Sequence, residues 1–232
     1  NSKSKNHYFY DTNITILKNN CMATDEFTSK NPKWFYNINE TPELKILEEN
    51  YKVILDELIQ LRKKSGNTNW LETFASYIFP ESKNVWKLFT FQFFGIKHPL
   101  NCNECPKTYA ILKKIPELIT AEFSYLPGKT HIKPHKGFSK MILRAHLGVI
   151  VPKQCSIRVG NETQSWQEGK VIIFDDSFDH EAWNDSEEDR FVLMIDIPNP
   201  KWEYTANQIN KYKIDNLQDE VLLNLFPKEK WQ

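Results

Sequence analysis

Two histidines, His135 and His180, each follow a short polar stretch, and each could offer an imidazole to a divalent metal. Two neutral imidazoles from separate strands suit a divalent iron. The common oxygenase site adds a carboxylate two residues after the first histidine, and here that position is Gly137. A second set lies in the apolar run MILRAHLGVIV, residues 141–151, where Arg144 and His146 are two apart. Side chains alternate faces along a strand, so these two project into one space, opposite Leu143, Ala145 and Leu147. A guanidinium on a half-buried strand requires an anion. That anion is either a carboxylate of the chain itself or a bound carboxylate, which an arginine fork meets at two points. Ser124 and Arg190 are further candidates to grip a small dicarboxylate.

Such groups converge only if a barrel brings several strands around one interior. Turn residues punctuate strand-like runs at 119–126, 141–151, 156–159, 170–175 and 190–197, with another at 85–95. That spacing predicts a mainly β fold, a double-stranded β-helix of the jelly-roll or cupin-like kind. Upstream, Leu44, Leu47, Tyr51, Leu55, Leu58 and Leu61 recur at three and four residues. They predict an amphipathic helix over 42–64, capped by Thr41, with its apolar face on the barrel. A short helix is expected at 106–115. The division that follows is a loosely structured arm over 1–30 and one domain over 31–232. That domain has a helical part at 31–117, a jelly-roll core at 118–200 and a tail at 201–232.

The chain has 232 residues, with 30 basic and 30 acidic side chains, so its net charge is zero. This balance speaks against a nucleic-acid surface. No apolar run approaches a membrane span, and a cytoplasmic monomer is the expectation. Four cysteines are too few for a disulfide framework. Cys102 and Cys105 form a lone CxxC that reads as idle thiols or a local disulfide. His98, Arg158 and Lys170 read as ordinary surface residues, and Trp166 as a core or hairpin anchor. His131 shares a strand face with His135 if the backbone stays extended through Pro134.

The segments IKPHKG, LRAHLGVIVP, W-x-x-G-K at 166–170, IFDDSFDHEAWN and R-F-V-L-x-x-D, with Ser124 to Gly128, occur in one order. Together they resemble the aspartyl/asparaginyl β-hydroxylase family of Fe(II)- and 2-oxoglutarate-dependent oxygenases, over roughly residues 32–200. The resemblance implies that His135 and His180 hold iron and that glycine at 137 is ordinary for this branch. It implies that Arg144 and His146 bind one end of 2-oxoglutarate, and Ser124 and Arg190 the other. Asp176 would stand near the metal and substrate; His131, from its strand position and not from the resemblance, reads as a residue behind the ligands or a structural one. The implied cofactors are Fe(II), 2-oxoglutarate and O2, with ascorbate as a supporting reductant. The implied reaction is hydroxylation of an unactivated C–H, first of an aspartyl or asparaginyl β-carbon in a peptide, a protein or a free amino acid. A lipid acyl chain and a non-catalytic cupin-like binding module are the alternatives. Family members that act on EGF-like domains carry a basic residue where this chain has Ile142. The oxygenase reading requires that His135 and His180 lie close enough to share an ion and that no carboxylate of the chain neutralise Arg144.

Overall fold

The computed structural model describes residues 32–64, 70–72 and 85–216. The expected arm at 1–30 and the end of the tail beyond 216 lie outside the described residues.

Among the described residues, twelve short strands make two antiparallel sheets. In chain order they are β1 (Phe35–Tyr36), β2 (Leu71–Glu72), β3 (Lys87–Phe93), β4 (Ile96–Lys97), β5 (Thr120–Leu126) and β6 (Thr130–His135), followed by β7 (Ile142–Ile150), β8 (Cys155–Val159), β9 (Glu162–Ser165), β10 (Val171–Phe174), β11 (His180–Asn184) and β12 (Arg190–Pro198). The larger sheet runs β1-β10-β7-β12-β5-β3-β2, with β4 on β3; the smaller runs β6-β11-β8-β9. Leu126, Ile172, Phe174 and Val192 of the large sheet pack against Ile132, Ile157, Val159 and Ala182 of the small one. The result is a jelly roll whose interior lies between the sheets.

The outer face of the large sheet carries the helices. Leu44, Leu47, Ile54, Leu58 and Leu61 pack on Phe89, Phe91, Phe123, Leu143, Ala145, Leu147, Leu193 and Ile195. Each fully buried leucine there contributes roughly 1.5–3 kcal/mol. The predicted helix is real but broken. A 3-10 turn at Pro42–Leu44 leads into α1 (Lys45–Glu49), and α2 spans Tyr51–Lys63. The break falls at Asn50, whose side chain donates to the Ile46 carbonyl at 2.8 Å and competes with the helix ladder. Thr41 makes no side-chain cap. α3 (Pro99–Glu104) and α4 (Pro106–Leu112) follow, and α5 (Ala206–Asp215) comes after β12. Among the described residues no helix is long and apolar enough to cross a membrane.

Cys102 and Cys105 are buried, free thiols. Burial pushes them up to about 11 and about 12, so they stay protonated and inert at neutral pH. The local disulfide is not formed.

Candidate functional site

β6 and β11 are paired neighbours, and their register sets His135 directly opposite His180. The ring centroids are 4.2 Å apart. Each imidazole is oriented in the same way. Nδ1 of His135 meets the Lys133 carbonyl at 2.7 Å, and Nδ1 of His180 meets the Phe178 carbonyl at 2.9 Å. With Nδ1 as donor in each, the lone pair sits on Nε2, which is the ligating form. Burial, then the neighbouring His135, takes His180 down to about 3; burial also lowers His135. Both are therefore neutral at physiological pH and fit a divalent metal.

Gly137 has a physical reason to be glycine. A Cβ there would stand 2.2 Å from the Asp176 carboxyl, and the Gly137 N–H donates to the Asp176 carbonyl at 2.6 Å. Asp176 fills the space from which a third, carboxylate ligand would come. Among the described residues no group of three His, Cys, Asp or Glu side chains could hold a metal. The donor set that fits iron is two imidazoles.

His131 does not share a face with His135, which corrects the expectation above. His135 pairs with His180 but Ile132 pairs with Ala182, so β6 carries one extra residue near Pro134. This bulge flips the parity. Thr130, Ile132 and His135 face inward, while His131 lies opposite Trp183 and meets Glu181 at 2.7 Å. Arg158, expected to be solvated, joins that cluster through Asp179 at 2.8 Å and Glu181 at 2.5 Å.

Arg144 is also corrected. Its Nε and Nη2 donate to Asp196 at 2.8 and 3.0 Å, and Nη1 stands 3.2 Å from Asp176. Acids of the chain neutralise it, so the requirement set on Arg144 in the sequence is not met, and only its remaining N–H donors are open to a ligand. Of its five N–H donors, three are committed and two remain. The case for an anionic ligand passes to Arg190. Its side chain is buried, with 1% exposed, and no carboxylate among the described residues pairs with it. Burial pulls it down to about 10. Nη2 donates to Ser124 Oγ at 3.2 Å, and Nε has no partner. Trp86 Nε1 donates to the same hydroxyl at 2.9 Å, so Ser124 is held from two sides.

His146 lies between the His135–His180 pair and Arg190. It is buried, and neither ring nitrogen has a partner. Its ring is 5.0 Å from Phe174, which is 5.8 Å from His180. On its other side Trp166 stacks at 5.9 Å, and the Arg190 guanidinium sits 4.8 Å over that indole. The interior thus brings His135, His180, His146, Ser124 and Arg190 into one run of contacts. The sequence reading missed Trp86, Asp196 and Glu122 as parts of this site and took Trp166 for packing only. The parity of RFVLMID, which puts Arg190 and Asp196 on one face, was the available signal for Asp196.

Glu122 lies on that same interior face, 3% exposed, and accepts from Thr90 Oγ1 at 2.7 Å. Burial pushes its carboxyl up to about 7; Asp196 adds to the rise, while Thr90 and Arg144 oppose it. The folded chain then keeps a proton that the unfolded chain releases near pH 4.5. Folding takes up that proton between the two values. Stability from this group is full at low pH and falls as pH rises towards 7, by on the order of 3 kcal/mol. Urea melts across that range should show a flatter slope for Glu122→Gln than for wild type. Equal slopes would mean that Glu122 is already ionised in the fold.

Residues 48–200 match the family described as Aspartyl/Asparaginyl beta-hydroxylase. The ornithine lipid ester-linked acyl 2-hydroxylase of Rhizobium tropici is 39% identical over 66% of this chain and 56% of its own length. The aspartyl/asparaginyl beta-hydroxylase of Mus musculus is 37% identical over 68% of this chain and 22% of its own length. The chain therefore spans about half of one curated relative and about a fifth of the other. Among solved structures, a 2OG-Fe(II) oxygenase family oxidoreductase from Burkholderia pseudomallei aligns at TM-score 0.46 and 9% identity, over 62% of this chain and 78% of that one.

Proposed function

The chain belongs to the aspartyl/asparaginyl beta-hydroxylase family, and from that premise we propose that it is an Fe(II)- and 2-oxoglutarate-dependent hydroxylase of an unactivated C–H bond. One observation carries the cosubstrate: a buried guanidinium, Arg190, with no acid among the described residues to answer it, next to an imidazole with two unpartnered nitrogens. A dicarboxylate supplies the missing anion.

His135 and His180 would hold the metal through Nε2, each locked by its backbone carbonyl. Iron with 2-oxoglutarate and O2 supplies oxidative decarboxylation to succinate and carbon dioxide, coupled to oxygen insertion into the target bond. Ser124 and Arg190 would fix the distal carboxylate. His146 would meet the oxygens nearer the metal, with the two uncommitted donors of Arg144 alongside. Asp176 keeps one oxygen on Arg144 and has the other without a partner, ready to accept from water or substrate. The apolar walls, Phe174 and Trp166 among them, exclude water and strengthen these charge contacts.

For the substrate, an aspartyl or asparaginyl β-carbon is the first reading, after the named activity of the mouse relative. A lipid acyl chain is the second, after the Rhizobium relative. It is favoured by Ile142, which continues the face of Arg144 into a buried apolar cluster with Phe94, Ile119 and Met141. Arg144, held by Asp196 and Asp176, also offers little to a substrate carboxylate.

Anaerobic addition of Fe(II) and 2-oxoglutarate should give a broad visible charge-transfer band. Admission of air should then release succinate, faster with the true substrate among Asp/Asn peptides, free amino acids and acyl lipids. No band and no succinate would leave a non-catalytic cupin-like binding module.

A further inference from the structure

The loop after β9 is pressed unusually close to the large sheet. A Cβ on Gly148 would stand 2.3 Å from the Gln167 carbonyl oxygen. The Gly148 N–H donates to the Lys170 carbonyl at 3.0 Å, and the Gly169 N–H donates to the Gly148 carbonyl at 2.9 Å. Gly148 is two residues beyond His146 on the same strand face, so this clamp delivers Trp166 to the ring of His146. The indole lies there nearly parallel to the imidazole, at 22°, with the Arg190 guanidinium over it.

Trp166 is 4% exposed, and its Nε1 has no partner. A buried tryptophan N–H normally finds an acceptor, so an orphan one is a feature to be explained. It is not alone. Eight buried side-chain polar atoms lack partners among the described residues, and four of them belong to His146, Trp166 and Arg190. Those three residues are in contact through the indole. Their orphan groups are the Trp166 N–H, the Arg190 Nε–H and the two imidazole nitrogens, at least one of which is a donor. Donors outnumber acceptors, as suits an oxygen-rich anion rather than an apolar filler.

We propose that Trp166 is a binding residue for the cosubstrate: its indole N–H donates to the carboxylate gripped by Arg190 and Ser124, and its ring holds the guanidinium in place. This rests on the reading that the pocket takes 2-oxoglutarate.

The test compares two probes on Fe(II)-loaded protein by calorimetry under nitrogen. 2-Oxoglutarate carries the distal carboxylate; oxalate keeps a chelating end and lacks it. Trp166→Phe retains a stacking ring and removes the N–H. It is expected to weaken 2-oxoglutarate about tenfold, as the loss of one charge-assisted hydrogen bond does. Oxalate and Fe(II) affinities should be unchanged. If Trp166→Phe does not fold, a genetically encoded benzothiophene in place of the indole, with sulfur for N–H, keeps the volume and is read in the same way. Unchanged 2-oxoglutarate affinity overturns the inference and leaves the proposed function standing. Equal weakening of both probes also overturns it, since it marks a packing role alone. Wild-type protein that prefers oxalate or binds neither probe overturns the pocket reading itself, and the inference with it.

Discussion

Arg190→Met is expected to make the ligand-free protein more stable while removing its affinity for 2-oxoglutarate. The two effects have one cause. The guanidinium is buried, its Nε is unpartnered, and no acid among the described residues compensates it. Burying a cation without a counter-ion costs several kcal/mol, and replacing such a charge by an apolar side chain of similar volume is neutral or stabilising by about 1–4 kcal/mol. The stacking over Trp166 and the bond to Ser124 return part of that, so a net gain of about 1–3 kcal/mol is expected. At this chain length each kcal/mol moves the melting temperature by roughly 2–4 °C. Binding moves the other way. Truncating one partner of a desolvated charge pair costs about 2–5 kcal/mol. That corresponds to a 2-oxoglutarate affinity lower by about 30-fold to several thousand-fold. Thermal melts with and without 2-oxoglutarate, together with calorimetric titration, check both signs. A ligand-free Arg190→Met protein that melts lower by 10 °C or more would mean that the fold satisfies this arginine internally, and the pocket reading would lose its main support.

The second large effect is at Gly137. The carboxylate of other oxygenases cannot simply be installed there, because a Cβ at 137 would stand 2.2 Å from the Asp176 carboxyl. Asp176 is itself held by Arg144 at 3.2 Å. Gly137→Ala should therefore push Asp176 off Arg144, which keeps Asp196; Asp176, already raised to about 7 by burial, can take up a proton, so a cost of about 1–3 kcal/mol is expected. Gly137→Asp adds a second carboxylate to the same space and should bind Fe(II) no better than wild type. In the background Asp176→Gly the space is open, and Gly137→Asp should then bind iron more tightly than Asp176→Gly alone. The double-mutant cycle should be strongly non-additive, by more than about 1 kcal/mol in stability. Additive costs would show that Asp176 yields freely and that some other contact keeps residue 137 small.

Much of the architecture follows from local pattern. The apolar alternation in residues 141–151 and 190–197 marks β7 and β12, and the leucine spacing at 44–61 marks the helices that cover their outer face. Strands β6, β9 and β11 went unread because none carries an apolar alternation, β9 for one reason and β6 and β11 for another. β9 is exposed at every position. β6 contains Pro134 and a bulge, and the inward residues of β11 are His180, Ala182 and Asn184. A strand that points its functional side chains inward loses the apolar period by which strands are recognised.

The sequence by itself singled out candidate side chains scattered along the chain. His135, His180, Ser124, His146 and Arg190 do converge on the interior. Only the tertiary structure decided which charges are spent. Asp196 is 52 residues from Arg144 in sequence, yet β12 lies beside β7, and the register puts the two side by side. Among the described residues no such neighbour answers Arg190. Whether a buried cation is neutralised depends on the partner strand, and strand pairing is a non-local property that period and composition do not encode.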